Sequence, residues 1–142
     1  MKAIFALCLV LAFAFTQCTF TPKWFSCEWE TWNTTNVTLD AAPVAGQNST
    51  FTLCGENLTK EPEIFTGIRY KYDEYDIDHD YPIKKVIVGA RKTHCFEVNI
   101  PVQNTDGEQD VYFAIDGDFF AAVGCDIVYL NIEGKKKKFL SS

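Results

Sequence analysis

Histidine, methionine, basic charge and long hydrophobic runs are all scarce in this chain. The 142 residues hold two histidines, His79 and His94, and one methionine. There is no Cys-x-x-Cys and no His-x-x-x-His pair, so the tight spacing of zinc ligands is absent. No nucleophile elbow and no Gly-rich phosphate loop occurs, and the carboxylates are scattered rather than paired. Neither an enzyme, nor a metal site, nor a cofactor is expected. Asp76-x-Asp78-x-Asp80 matches the start of an EF-hand loop, but Tyr81 stands where that loop needs Gly and Ile87 where it needs Glu. Asp73 to Tyr81 reads instead as a solvated acidic edge that discourages strand pairing. Lys and Arg number 13 against 19 Asp and Glu, a net charge of −6, which argues against nucleic acid as a partner.

One apolar run is present, at the start. Lys2 precedes Ala3 to Phe15, the pattern of a secretory signal: a basic residue, a short apolar core, then small residues. It falls short of the roughly 20 residues of a membrane span, and no other stretch approaches that length. Cleavage after Cys18 or after Ala14 fits the small-residue rule. Cys18 is preferred, making residues 1–18 the signal and leaving Cys27, Cys54, Cys95 and Cys125, an even number. A secreted or lumenal protein follows. Sequons at Asn33, Asn36, Asn48 and Asn57 agree with it as glycosylation sites, although Asn33 and Asn36 lie too close for both to be expected. In such a compartment four spaced cysteines form two disulfides, for which three connectivities are open.

Residues 19–134 read as one domain, followed by a basic tail, 135–142, opened by Lys135 to Lys138. Lys92 to Val102 carries the clearest pattern. His94, Phe96, Val98 and Ile100 share one face, Thr93, Cys95, Glu97 and Asn99 the other, and Pro101 ends the strand. The same alternation sets Val37 with Leu39, Phe51 with Leu53, and Val111 with Phe113 and Ile115. It aligns Ile64, Thr66, Ile68, Tyr70 and Tyr72, and near the end Val123, Cys125, Ile127 and Tyr129. Lys85 to Val88 is a strand without an evident partner. Pro43 to Gly46 is a connector, Gln103 to Asp110 a polar turn, and Asp116-Gly117-Asp118 a hairpin signal. The tryptophans within Trp24 to Trp32 read as packing at a sandwich edge. About seven short strands suggest an all-β sandwich, with a jelly roll or small barrel as alternatives. Aromatic residues make up 15% of the chain, enough to fill a closed core or to wall a cavity.

The order of these features resembles the ML lipid-recognition domain. An early Cys27 is followed by the Pro43-Val44-Ala45-Gly46 connector leading into a strand. Tyr81-Pro82-Ile83 sits mid-chain, Ile100-Pro101-Val102 ends a strand before a Gly-bearing turn and an aromatic-rich strand, and Cys125 opens the final one. The resemblance implies an immunoglobulin-like β-sandwich of two antiparallel sheets with an apolar cavity between them. It implies that Cys27 pairs with Cys125, which leaves Cys54 for Cys95. In the sterol-transfer branch of the family, the positions matched by Tyr81 and Val102 line the pocket. Tyr81 replaces a Phe there, and its added hydroxyl needs a partner or the pocket mouth.

The expected function is therefore a lipid-binding and transfer protein, secreted or in the lysosomal lumen, holding one sterol or phospholipid. Its expected walls are Phe51, Leu53, Ile68, Tyr70, Tyr81, Phe96, Val98, Ile100, Val102, Phe113 and Ile115. It is expected to act as a monomer with transient membrane contact, the lysine tail favouring anionic bilayers. The competing expectation is a secreted immunoglobulin-like module with a closed core that binds a protein or a glycan.

Overall fold

A computed structural model describes residues 19–27, 29–118 and 121–132. The expected signal, 1–18, and the basic tail, 135–142, lie outside them. Eight strands follow in order: β1 (Lys23–Cys27), β2 (Trp32–Leu39), β3 (Asn48–Asn57), β4 (Glu63–Lys71), β5 (His79–Val88), β6 (Thr93–Pro101), β7 (Gly107–Gly117) and β8 (Ala122–Ile132). They form two antiparallel sheets, β1-β8-β7-β4-β5 and β2-β3-β6, arranged as a sandwich. Lys85 to Val88 belongs to β5 and pairs with β4. The short opening strand β1, early starts of β2, β5 and β7, and a β5 that reaches into the acidic stretch are additions to the pattern expected from sequence.

Alternation places the core. On β3, Phe51 and Leu53 face inward, on β6 Phe96, Val98 and Ile100, on β7 Val111, Phe113 and Ile115. Rings meet across the two sheets, Phe51 against Phe113 at 5.2 Å and Trp32 against Phe65 at 5.1 Å between centroids. Phe65, Trp32 and Phe96 form a mutual edge-to-face cluster, the geometry that the ring quadrupole favours.

Two strands depart from simple alternation. The pairing of β4 shifts register between Phe65 and Gly67 against both its neighbours. This bulge turns Phe65 inward beside Ile68 and takes Ile64 and Thr66 out of the aligned row. On β8 the row Val123, Cys125, Ile127 and Tyr129 is the outer one, and Asp126, Val128, Leu130 and Ile132 are buried.

Trp32 sits in a slot between glycines from different sheets. A Cβ on Gly55 of β3 would lie 2.6 Å from its ring, and one on Gly124 of β8 2.7 Å from it. Any side chain at either position would push the indole or the strand away, so the two backbones approach as closely as the ring permits.

Candidate functional site

The two sheets part at β5 and β6, an edge strand of each sheet. A cleft of about 310 Å³ opens there, lined by Tyr81, Pro82, Ile83, Val86, His94 and Phe96 among others. Two tyrosines span this seam, Tyr81 from β5 and Tyr72 from the turn just after β4. The backbone N–H of Asn99 on β6 donates to the Tyr81 hydroxyl at 3.2 Å. The Tyr72 hydroxyl donates to the Pro101 carbonyl. Tyr81 thus satisfies the need its extra oxygen creates, by using a backbone donor that edge strand β6 leaves free on that side. Burial, with smaller contributions from Tyr70 and Asp76, pushes the Tyr72 phenol up to about 12. Tyr72 remains a donor throughout the neutral range. Tyr70, Tyr72 and His79 stack behind it, with ring separations of 5.1 Å for Tyr70 and His79 and 5.7 Å for the two tyrosines. His94, half-buried, sets its ring edge-on to Phe96 at 4.7 Å.

All eleven expected wall residues fall in one apolar cluster. Phe51, Leu53, Ile68, Phe96, Val98, Ile100, Val102, Phe113 and Ile115 are buried, while Tyr70 and Tyr81 are half-buried and packed against them. Tyr81 and Phe96 reach the cleft, and the others lie deeper. The connector and Val102 also meet: Gly46 N–H donates to the Val102 carbonyl at 3.1 Å and Val102 N–H to that of Gln47 at 2.9 Å. Gly46 has φ +76°, a conformation suited to glycine. The cluster further contains Trp32, Phe65, Val88, Val111, Val128, Leu130 and Ile132, absent from the expected walls. Val111 shares the alternation of Phe113 and Ile115 and was findable on that ground. Phe65 depends on the bulge.

Both expected disulfides form, Cys27–Cys125 and Cys54–Cys95. Each joins residues directly opposite one another on neighbouring strands, β1 with β8 and β3 with β6, so both bridges lie within a sheet. Asn33, Asn36 and Asn48 are exposed. Asn57 is fully buried, and its amide nitrogen donates to the carbonyls of Glu61, Val88 and Gly89 at 2.9 to 3.2 Å. A glycan on that nitrogen is incompatible with this corner of the folded domain, a correction to the expectation from the sequon. The acidic stretch is ordered by its own carboxylates. Asp76 is held below the usual range chiefly by the Tyr72 N–H, and Arg69 bridges Asp78 and Asp116. Among the described residues no group of three or more His, Cys, Asp or Glu is placed to hold a metal.

At the opposite edge the sheets are tied by buried polar groups. The Trp32 indole N–H donates to Thr34 Oγ1 at 3.0 Å, and that hydroxyl donates to Asp126 Oδ2 at 2.6 Å. Burial pushes the Asp126 carboxyl up to about 6, against the opposing pull of the Thr34 and Ser26 hydroxyls.

No protein-family model and no curated protein matches the chain. Among solved structures the fold is similar to a Niemann-Pick type C2 protein from Japanese carpenter ant. The TM-score is 0.55 at 8% identity, over 78% of this chain and 99% of that one. A weaker likeness, TM-score 0.49 at 11% identity, is to the Pseudomonas fluorescens alkylpurine DNA glycosylase AlkC bound to abasic-site DNA; it covers 71% of this chain and 30% of that one and supports no inference. The first neighbour has an ML domain, and at so low an identity the likeness is one of fold.

Proposed function

We propose that this protein is a lipid carrier that takes one sterol or phospholipid between its two sheets, entering through the β5–β6 seam. The observation that carries the reading is the contrast at that seam. A continuous apolar interior lies behind two edge strands that share no ladder; away from the turn that links them, they are bridged by the Tyr81 hydroxyl of β5 and by that of Tyr72, just beyond β4. Two such bonds contribute about 1 kcal/mol each, small against the roughly 5–10 kcal/mol gained when a few hundred Å² of lipid surface leaves water at about 25 cal/mol per Å². The ML-type fold supports the same reading. The binding is non-covalent: the interior replaces the bilayer for acyl chain or sterol rings, and the tyrosine hydroxyls and His94 at the mouth meet the polar head. Two disulfides suit a secreted or lysosomal setting. A monomer making brief contact with membranes completes the proposal.

Native mass spectrometry of the secreted protein, with an organic extract of the same sample, tests it. A co-purified sterol or phospholipid near one-to-one is the expected result. A clean unliganded mass, with no uptake when both lipid classes are offered, overturns it. The tight ring contacts between Phe51 and Phe113 would then favour the second reading, a closed-core module that binds a protein or glycan.

A further inference from the structure

We propose that Asp126 makes an acid-dependent clasp of the β2–β8 edge: the edge closes over its carboxyl most readily when that group is neutral, and ionisation, which draws water to the charge, loosens it. The inference stands whether or not the interior takes a lipid.

The geometry carries it. Asp126 is 0% exposed, although it lies on β8 in the large sheet and points toward β2 in the small one. Oδ2 accepts from Thr34 at 2.6 Å, while Oδ1 makes no hydrogen bond of good geometry and the Ser26 hydroxyl adds only a weaker pull on the carboxyl. Arg69, Lys71 and Asp78 line a small pocket that Asp126 also borders, but none of them contributes to the titration of its carboxyl, and the side chains placed against it are uncharged. From β1 there is Ser26, opposite it in register, and from β2 Thr34 and, through it, Trp32. From β7 there is Phe113, also opposite, and along β8 itself Gly124 and Val128 share its face. No cation contributes to its electrostatics. A buried carboxylate with neither a cation nor a full set of donors is costly, whereas the neutral acid in the same place is not. The upward displacement of its titration agrees with this geometry. Since the folded value exceeds the unfolded one, the contribution to stability is complete below the unfolded value near 4 and is lost as pH rises to about 6. The closed β2–β8 edge is therefore most stable in acid and least stable near neutral pH, because the cost of burying the charge outweighs the Thr34 and Ser26 hydroxyl contacts, which favour the ionised form.

Two measurements on the full secreted chain decide the matter. Carbon-13 NMR of the aspartate carboxyls should show one of them, lost in Asp126→Asn, titrating about two pH units above free aspartate. A midpoint near 4 for that signal would overturn the proposal without reference to any variant. The second is thermal unfolding between pH 5 and 7.5. The wild type should lose roughly 5 °C more in Tm across this window than Asp126→Asn, which keeps the shape and cannot ionise. Equal pH slopes in the two proteins would sink the clasp, and so would protection factors in β2 and β8, corrected for base-catalysed intrinsic exchange, that fall no more toward pH 7.5 in the wild type than in Asp126→Asn.

Discussion

At one long edge of the sandwich the chain itself crosses between the layers. Phe20 pairs with Leu39 at the end of β2 through two backbone bonds of 2.8 and 2.7 Å, and three residues later Lys23 pairs with Tyr129 on β8. The N-terminal segment thus belongs to both sheets in turn. Cys27–Cys125, the Thr34–Asp126 contact and the Trp32 slot are at the same edge. At the other edge β5 and β6 are neighbours in sequence, joined by the tight turn in which Lys92 N–H donates to the Gly89 carbonyl, yet they lie in different sheets. There the turn itself, the buried Asn57 amide on the Val88 carbonyl and two tyrosine hydroxyls join the layers. The lesson is that one sandwich joins its two layers by different means at its two edges, a crossing N-terminal segment and a buried carboxyl at one, a turn, a buried amide and two phenols at the other.

The contrast can be broken at its strong side first. Cys27 and Cys125 are separated by 98 residues, and a crosslink closing such a loop is worth about 4.7 kcal/mol on the chain-entropy model. Replacing both by Ser should lower the unfolding free energy by about that amount in urea titrations. Next comes a pairwise test of packing. Trp32→Ala should cost about 5 kcal/mol, the upper end for an aromatic truncation, because glycine backbones on both sides leave the hole nothing flexible to collapse into. Phe96→Ala, beside the open cleft, should cost nearer 3 kcal/mol, since water and neighbouring side chains can fill the space. The two rings touch, with centroids 5.3 Å apart, so the comparison probes two surroundings of one cluster, and equal costs would mean that the glycine slot adds nothing. The smallest effect belongs to the seam itself. Tyr72→Phe with Tyr81→Phe should remove about 1–2 kcal/mol in total while speeding amide exchange at Asn99 and the release of any bound lipid. Alkali should mimic the Tyr72 part. With its folded value raised to about 12 against 10 for the free phenol, its contribution is full below pH 10 and is lost as pH climbs to about 12.

Where one face of a strand is polar, the sequence was readable. β6 alternates His94, Phe96, Val98, Ile100 against Thr93, Cys95, Glu97, Asn99, and every one of these lies on the expected side. The fold class and the inward faces of Phe51, Leu53, Phe96, Val98, Ile100, Phe113 and Ile115 follow from strands of this kind, whereas Tyr81 and Val102 come from the resemblance alone. β8 defeats the method because both its faces are apolar: Val123, Ile127 and Tyr129 on one, Val128, Leu130 and Ile132 on the other. The buried Asp126 further disguises the inner row, since a carboxylate normally marks the solvent side. In β4 a single bulge changes which residues face inward, and Gly67 is its one trace in the sequence. Asn57 shows the opposite failure, a motif present in letters whose side chain the fold has taken for its own carbonyls.

The indole of Trp32, held between Gly55 and Gly124, fixes the spacing of the sheets at one point. Mechanically it is a fulcrum. The seam strand β5 lies three strands from β8, a lever arm of about 14 Å at the usual strand spacing of roughly 4.8 Å. A rotation of the large sheet by some 15° about the indole would carry β5 through about 4 Å on that arm, close to the width of a hydrocarbon chain, while the backbones at the pivot scarcely part. Such a rotation would leave the β2–β8 edge in place, and the link it would have to part is the buried Asn57 amide on the Val88 carbonyl at the far side.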